Sequence, residues 1–202
     1  MKNERPWKIG EVFPAVNWPN NLCSSGTAVL MLGLIAAFRV RVIIEIGTWM
    51  GFTSQVLGYG LRAMGGGTLI SCDYVQNCCD KSKAMLEGVE GVTHRVICNY
   101  SDRVNWPAEL AAVGETQACL VYVDGDHSYD GALKDMLLTA PVVRPGGLMV
   151  CHDYNHVRPE FANATRAIDD FTKECRWPRI VTPFLPSCNE IGAAVLQRPS
   201  AS

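Results

Sequence analysis

Short apolar runs without helical period recur along the chain, each separated from the next by a longer amphipathic stretch. Val42, Ile43, Ile44 and Ile46 make a β-branched run that reads as a strand buried on both faces. The apolar stretch Ala28 to Phe38 before it reads as a helix capped near Ser24 or Ser25, and a helix from about Thr53 to Met64 follows. The alternation then continues: strand Thr68–Cys72, helix from about Cys79 to Glu87, strand from about Val92 to Cys98, helix near Trp106–Val113. Next come strand Ala118–Val123, helix Tyr129–Ala140, the turn Arg144-Pro145-Gly146-Gly147 and strand Leu148–Cys151. A helix from about Pro159 to Cys175 precedes two last strands, Arg179–Thr182 and Ile191–Gln197. This order predicts an α/β fold, a doubly wound and mostly parallel sheet with helices on both faces. The short Pro-containing connection makes the last two strands antiparallel, since parallel strands need a longer crossover. No repeat, low-complexity tract or linker divides residues 1–202, so one domain is expected, with an irregular segment over 1–23.

The stretch VIIEIGTWMGFTS, Val42 to Ser54, organises the rest. Gly47 breaks the strand, and Gly51, Thr53 and Ser54 lead into the helix. Strand, Gly-containing turn and helix is how an open α/β sheet forms a nucleotide pocket, with free N–H groups at the helix start. Glu45 stands out, because a carboxylate inside an apolar strand costs several kcal/mol unless something binds it.

Composition narrows the possibilities. With 202 residues, 48% hydrophobic and 19% charged, the chain is long enough to bury a core. A net charge of −2 without a lysine or arginine cluster argues against a nucleic-acid partner. Residues Met1 to Asn21 are polar and irregular, unlike a signal peptide, and Ala28–Phe38 is too short to span a bilayer, so no membrane partner is expected. Nine cysteines is an odd count, and Cys72, Cys119 and Cys151 lie in apolar strands where thiols act as small hydrophobes. They read as reduced and the location as cytoplasmic. The vicinal pair Cys78–Cys79, with Cys72 and Cys98 further off, has no CxxC spacing and reads as structural rather than as a zinc site.

Polar residues gather past the strand ends. Gly47, Asp73, Asp124 and His152-Asp153 each follow a predicted strand, on the crevice side of such a sheet. A dinucleotide site wants a second glycine two residues after the first, where Trp49 stands here. The bulk of Trp49 disfavours a pyrophosphate, and with it a nicotinamide cofactor, and favours a ligand that has none, of which S-adenosylmethionine is one. Asp73 suits a ribose diol, because a carboxylate accepts from both hydroxyls.

EIGTWMGFTS resembles the first motif of class I S-adenosylmethionine-dependent methyltransferases. VDGDHSYDGALKDM followed by VRPGGLMVCHDY is similar to a bacterial branch of that superfamily, related to macrocin-type and catechol-type O-methyltransferases. The resemblance spans about Gly26 to Gln197 and implies a seven-stranded, Rossmann-like methyltransferase sheet with an antiparallel C-terminal hairpin. It implies that Glu45 supports the turn and the methionine amine, while Gly47, Thr48, Gly51 and Thr53 line the methionine tail. Asp73 would hold the ribose hydroxyls and Tyr74 would lie beside the adenine. Asn99-Tyr100-Ser101 falls at the family's Gly-Asp-Ser/Ala adenine contact, matched by Ser101.

In metal-dependent relatives a divalent ion is held by an Asp after the fourth strand and a pair after the fifth. The resemblance puts Asp124 and His152-Asp153 at those places, and imidazole suits Zn, Fe or Ni better than Mg. The alternative for His152 is a histidine facing the substrate pocket without an ion. His127 is expected as the general base for an attacking hydroxyl, beside Asp124, with helix capping as the alternative role. His94 is read as structural. The implied reaction is transfer of a methyl group from S-adenosylmethionine to a hydroxyl of a small-molecule acceptor, above Asp124. The acceptor pocket is bounded by the loops after His152 and between Phe184 and Asn189. The segment carrying Trp7 and Trp18 either covers it or packs on a second subunit in a homodimer. Two alternatives stand beside this: a hydroxylase-related enzyme on the methyltransferase fold, and a non-catalytic S-adenosylmethionine-binding module.

Overall fold

The computed structural model describes residues 25–156, 158–182 and 192–200. The expectations for the N-terminal segment, for Trp7 and Trp18, and for the Phe184–Asn189 connection lie outside the described residues.

The elements in chain order are α1 (Ser25–Ala37), β1 (Val42–Ile46), α2 (Phe52–Ala63), β2 (Gly67–Asp73), α3 (Gln76–Leu86), β3 (Val92–Cys98) and α4 (Trp106–Ala112). They continue as β4 (Ala118–Val123), α5 (Tyr129–Thr139), β5 (Val143–Cys151), α6 (Ala162–Cys175), β6 (Arg179–Val181) and β7 (Ala194–Gln197). The seven strands form one sheet in the order β3-β2-β1-β4-β5-β7-β6. β1 to β5 run parallel, and β7 is antiparallel to both β5 and β6. The expected sheet, its count and its hairpin are all present.

β1 and β4 are the central pair, and every residue of both is buried. This is why, Glu45 apart, they carry continuous apolar runs rather than alternation, as a sheet covered on both faces demands. Helix α6 buries Ala164, Ala167, Ile168 and Phe171, spaced three and four apart, against the sheet. Among the described residues no helix is long and apolar enough to cross a membrane.

Three boundaries differ from expectation. Arg144-Pro145-Gly146-Gly147 lies inside β5 instead of forming a separate turn. Val143 pairs with Ala118 and Leu148 with Leu120, so the residues between them bulge out of register. The bulge is held by the C-terminal segment: the Gly146 N–H donates to the Arg198 carbonyl, and the Arg198 N–H to that of Gly147. Helix α3 begins at Gln76, ahead of its first apolar residue, and the expected helix start at Pro159 is a 3₁₀ turn, Pro159–Phe161.

Candidate active site

The rim at the carboxyl ends of the strands is fixed by backbone bonds that carry the ladder past the strands. The Gly47 N–H donates to the Cys72 carbonyl, Asp124 N–H to Ile46, His152 N–H to Val123, and Asn99 N–H to Asp73. Gly47, Asp124 and His152 therefore stand in adjacent rows by register. Gly47 has a φ of 85°, and a Cβ there would lie 2.0 Å from the Asp124 carbonyl oxygen. The turns after β1 and β4 touch, and only glycine permits it.

Asp73 ties down the turn after β1. Its Oδ2 accepts from the Thr48 N–H at 3.0 Å, the Thr48 hydroxyl at 3.2 Å and the Trp49 N–H at 3.1 Å, while Oδ1 accepts from the Val75 N–H. Trp49 is thereby held at a φ of 40°, a left-handed conformation costly for a bulky residue. Trp49 thus occupies a backbone shape that glycine adopts more easily, with the indole turned out to solvent.

Beneath the turn, Glu45 is fully buried. Its Oε2 accepts from the Ser54 and Ser71 hydroxyls, both at 2.6 Å, and its Oε1 is buried without a partner. Burial outweighs the two serines and raises its pKa to about 7. Ser54 is 2.8 Å from Ser82 Oγ, and Ser71 is 3.0 Å from His94 Nε2. Each serine gives its one proton to Glu45, so Ser82 and the His94 Nε2–H must be the donors to them. Glu45 thus supports the turn through Ser54 of α2 and has no surface open to a ligand. Gly51 and Thr53 stand at the start of the same helix, Gly51 with a φ of 81°.

Further along the rim, Tyr74 and Tyr100 stack at 5.1 Å with planes 8° apart, and both are exposed. The Ser101 hydroxyl donates to Asp135, a buried carboxylate that burial raises to about 6. Neither Tyr100 nor Asp135 was singled out by sequence reasoning.

At the ends of β4 and β5 two carboxylates and two imidazoles converge. His127 Nε2 lies 2.7 Å from Asp153 Oδ2 and 3.5 Å from Asp124 Oδ1. His152 Nδ1 lies 3.3 Å from Asp124 Oδ1 and 3.4 Å from Asp153 Oδ2. Despite these distances both ring nitrogens are buried without a directed hydrogen bond. The contacts are close but not aimed along an N–H, so they act as charge contacts rather than as directed hydrogen bonds. Burial opposes protonation of both rings, but Asp124 and Asp153 prevail and raise His127 to about 9 and His152 to about 10. For Asp153, burial is outweighed by the His127 and His152 partners, and its carboxyl is held well below the usual range. In this arrangement His127 keeps its proton at neutral pH.

Ligand atoms of Asp124, His152 and Asp153 all lie within 4.8 Å of one another. The His152 nitrogen beside the carboxylates of Asp124 and Asp153 is a mixed N/O set, which fits a divalent transition ion better than magnesium. The capping alternative for His127 does not hold. Ser128 is the cap of α5, accepting from the Gly131 N–H, and Asp126 accepts from the Ser128 N–H.

Two further residues belong to the cluster. Tyr122 donates to Asp124 Oδ2 at 3.3 Å, which leaves Oδ1 toward the imidazoles. It precedes Asp124 by two residues along β4, and that period-two spacing was a usable signal. Phe161, from the turn before α6, meets the His127 ring edge-on at 4.7 Å, a contact for which the sequence holds no local sign.

Over residues 44–154, more than half of the chain, the sequence matches a family model described as a methyltransferase domain. No curated protein matches the sequence. Among solved structures, the O-methyltransferase TomG of Streptomyces achromogenes, involved in tomaymycin synthesis and solved with S-adenosylmethionine, is similar at a TM-score of 0.69 and 16% identity. That alignment covers 90% of this chain and 83% of TomG. An O-methyltransferase of Bacillus cereus, solved with S-adenosylhomocysteine, gives a TM-score of 0.66 and 16% identity, covering 93% of this chain and 89% of that one. The N-methyltransferase NodS of Bradyrhizobium japonicum gives 0.64 and 11%, covering 87% and 96%. These likenesses establish a shared fold. Because the family match takes in the strand ends of β1 to β5, where the rim is built, the chain belongs to the methyltransferase-domain family.

Proposed function

We propose that the protein transfers a methyl group from S-adenosylmethionine to a hydroxyl of a small molecule, at the cluster of Asp124, His127, His152 and Asp153. The observation that carries this reading is the convergence of those four side chains next to the Gly47 turn. The fold is shared with an N-methyltransferase as well, so the case for oxygen rests on the cluster. Gly47, Thr48, Gly51 and Thr53 line the methionine end, Asp73 takes the ribose hydroxyls, and Tyr74 and Ser101 flank the adenine. Glu45 acts from below, by holding the turn. The whole chain works as one methyltransferase domain. The seven described cysteines are all free thiols, which supports a cytoplasmic location.

S-adenosylmethionine supplies a methyl group already activated on a sulfonium. The protein's task is then to position the acceptor and manage its proton. Asp124, oriented by Tyr122, faces the acceptor oxygen. Once the negative charge of Asp124 and Asp153 is offset and the imidazole is neutral, His127 takes the hydroxyl proton, and Asp153 at 2.7 Å stabilises the imidazolium. A divalent cation on Asp124, His152 and Asp153 would neutralise the charge that keeps His127 protonated and lower the pKa of the acceptor hydroxyl.

Labelled methyl transfer to a panel of phenols, catechols, sugars and amines, with and without divalent metal, tests the reading. O-methylated products are expected. Methylation confined to amines, or no turnover of bound S-adenosylmethionine with any acceptor, overturns it.

A further inference from the structure

A second group of reactive side chains lies behind Asp73, outside the cluster above. Cys79, in the first turn of α3, is buried, and its thiol donates to the Asp73 carbonyl at 3.3 Å. The same sulfur lies 3.9 Å from the Ile97 carbonyl. The next residue, Cys98, is the register partner of Asp73 across β2 and β3, and it is exposed. The Cys79 sulfur thus meets the carbonyl of the residue that precedes Cys98 and the carbonyl of the residue that Cys98 pairs with. One thiol open to solvent and one sealed inside therefore flank the same stretch of backbone, Asp73 and Ile97.

We propose that Cys79 and Cys98 are a reversible modification site, forming a disulfide with peroxides that loosens the hold of Asp73 on the Thr48–Trp49 turn. The consequence for ligand affinity rests on the function proposed above; the disulfide itself does not. In the first step the Cys98 thiolate attacks a peroxide oxygen, giving a sulfenic acid and releasing hydroxide, or water after proton uptake. In the second, Cys79 sulfur attacks the sulfenic sulfur, the S–S bond forms, and the oxygen leaves as water with the Cys79 proton. Two thiols lose two electrons to the peroxide, and a small dithiol reverses the change.

The order follows from placement. Cys79 is sealed, and burial together with Cys98 pushes its thiol up to about 12, so it is a poor first nucleophile. Cys98 meets the oxidant and Cys79 resolves the product by proximity. The disulfide removes the S–H donor to the Asp73 carbonyl and draws the end of β3 toward α3. Asp73 is common to both sides of this junction: its backbone accepts from Cys79 and Asn99, and its carboxylate holds Thr48 and Trp49.

The test compares reduced and peroxide-treated full-length protein. Peptide mapping after alkylation should find a Cys79–Cys98 cross-link that small dithiols remove and that Cys98→Ser abolishes. Amide exchange at Thr48 and Trp49 should quicken about tenfold on oxidation, the order expected for losing one hydrogen bond. Binding of S-adenosylhomocysteine should weaken by a similar factor in the wild type and stay unchanged in Cys98→Ser. A cross-link through Cys78 instead, or a Cys79–Cys98 cross-link with unchanged exchange at Thr48 and Trp49, overturns the proposal. Failure of the reduced protein to bind S-adenosylhomocysteine counts against the proposed function, while mapping and exchange still decide the modification site.

Discussion

His127 Nε2 stands 2.7 Å from Asp153 Oδ2, closer than to Asp124, its neighbour in the DGDH turn, at 3.5 Å. The end of β5, not the turn that carries the histidine, supplies its nearest counter-charge. Asp153 reaches it from a left-handed backbone conformation, φ 57°, which turns the chain sharply after His152. An imidazole held between acids of two adjacent strands cannot rotate freely. The ring is thereby held at one defined place.

Replacing that imidazole should separate binding from chemistry. His127→Ala is expected to keep S-adenosylhomocysteine affinity within a few-fold while lowering kcat by about two to four powers of ten, the usual worth of a general base. Steady-state kinetics beside titration calorimetry makes the comparison. A near-normal kcat would leave His127 as a counter-ion for Asp153 and no more.

The strands were the most legible part of the chain. β3 and β4 begin and end where expected, because both are bounded by polar or Gly-containing turns. Helix starts were less legible: the Gln76-Asn77 opening of α3 is polar and carries no period, so tertiary packing decides it. The Pro145-Gly146-Gly147 bulge read as a turn because proline and glycine mark both, and its partner Arg198 lies far along the sequence. Each rim acid was visible as a polar residue just past an apolar run. Their mutual distances were not, since the His127–Asp153 and Asp73–Thr48 contacts join segments that only the sheet register brings together. Glu45 was conspicuous alone, but its partners Ser54 and Ser71 look like ordinary helix and strand residues.

Asp73 should prove a residue of the turn as much as of the ligand. Asp73→Ala removes the acceptor for Thr48 N–H, Thr48 hydroxyl and Trp49 N–H. Hydrogen bonds to a charged group contribute about 1.5–3 kcal/mol each at most, and the three share one oxygen. We expect S-adenosylhomocysteine affinity to fall at least about tenfold, and the unliganded protein to lose about 1–3 kcal/mol in urea unfolding. Lost affinity with unchanged stability would mean that Asp73 serves the ligand alone.

Removal of metal should expose the cluster chemistry. After exhaustive chelation, methyl transfer is expected to fall, and zinc, iron or nickel to restore it better than magnesium, because His152 offers nitrogen. Titration of the chelated protein with zinc gives a readout independent of turnover, and His152→Ala should weaken it by about tenfold or more. Zinc binding unchanged in that variant would exclude His152 as a ligand.

The last prediction concerns Glu45 and His94, which share Ser71 and titrate in opposite senses. Burial raises Glu45 from 4.5 to about 7, with Asp124 and Asp73 adding to it. The folded protein then holds a proton that the unfolded chain has lost, so stability falls as pH rises from about 4.5 to 7 and is level above that. For a fully buried group this amounts to about 3 kcal/mol. Burial, with Lys83 as a smaller cause, lowers His94 from 6.5 to about 4. Here the unfolded chain takes up the proton first, so stability falls as pH drops from 6.5 to about 4. Between about 4.5 and 6.5 the two slopes oppose each other and their joint contribution is nearly flat. Urea unfolding across pH 4 to 8 should separate them. Glu45→Gln leaves the His94 slope, so its stability relative to wild type should increase with pH through that window. His94→Gln leaves the Glu45 slope, and its relative stability should decrease with pH through the same window. Two variants whose curves stay parallel to wild type would show that neither group changes its protonation on folding.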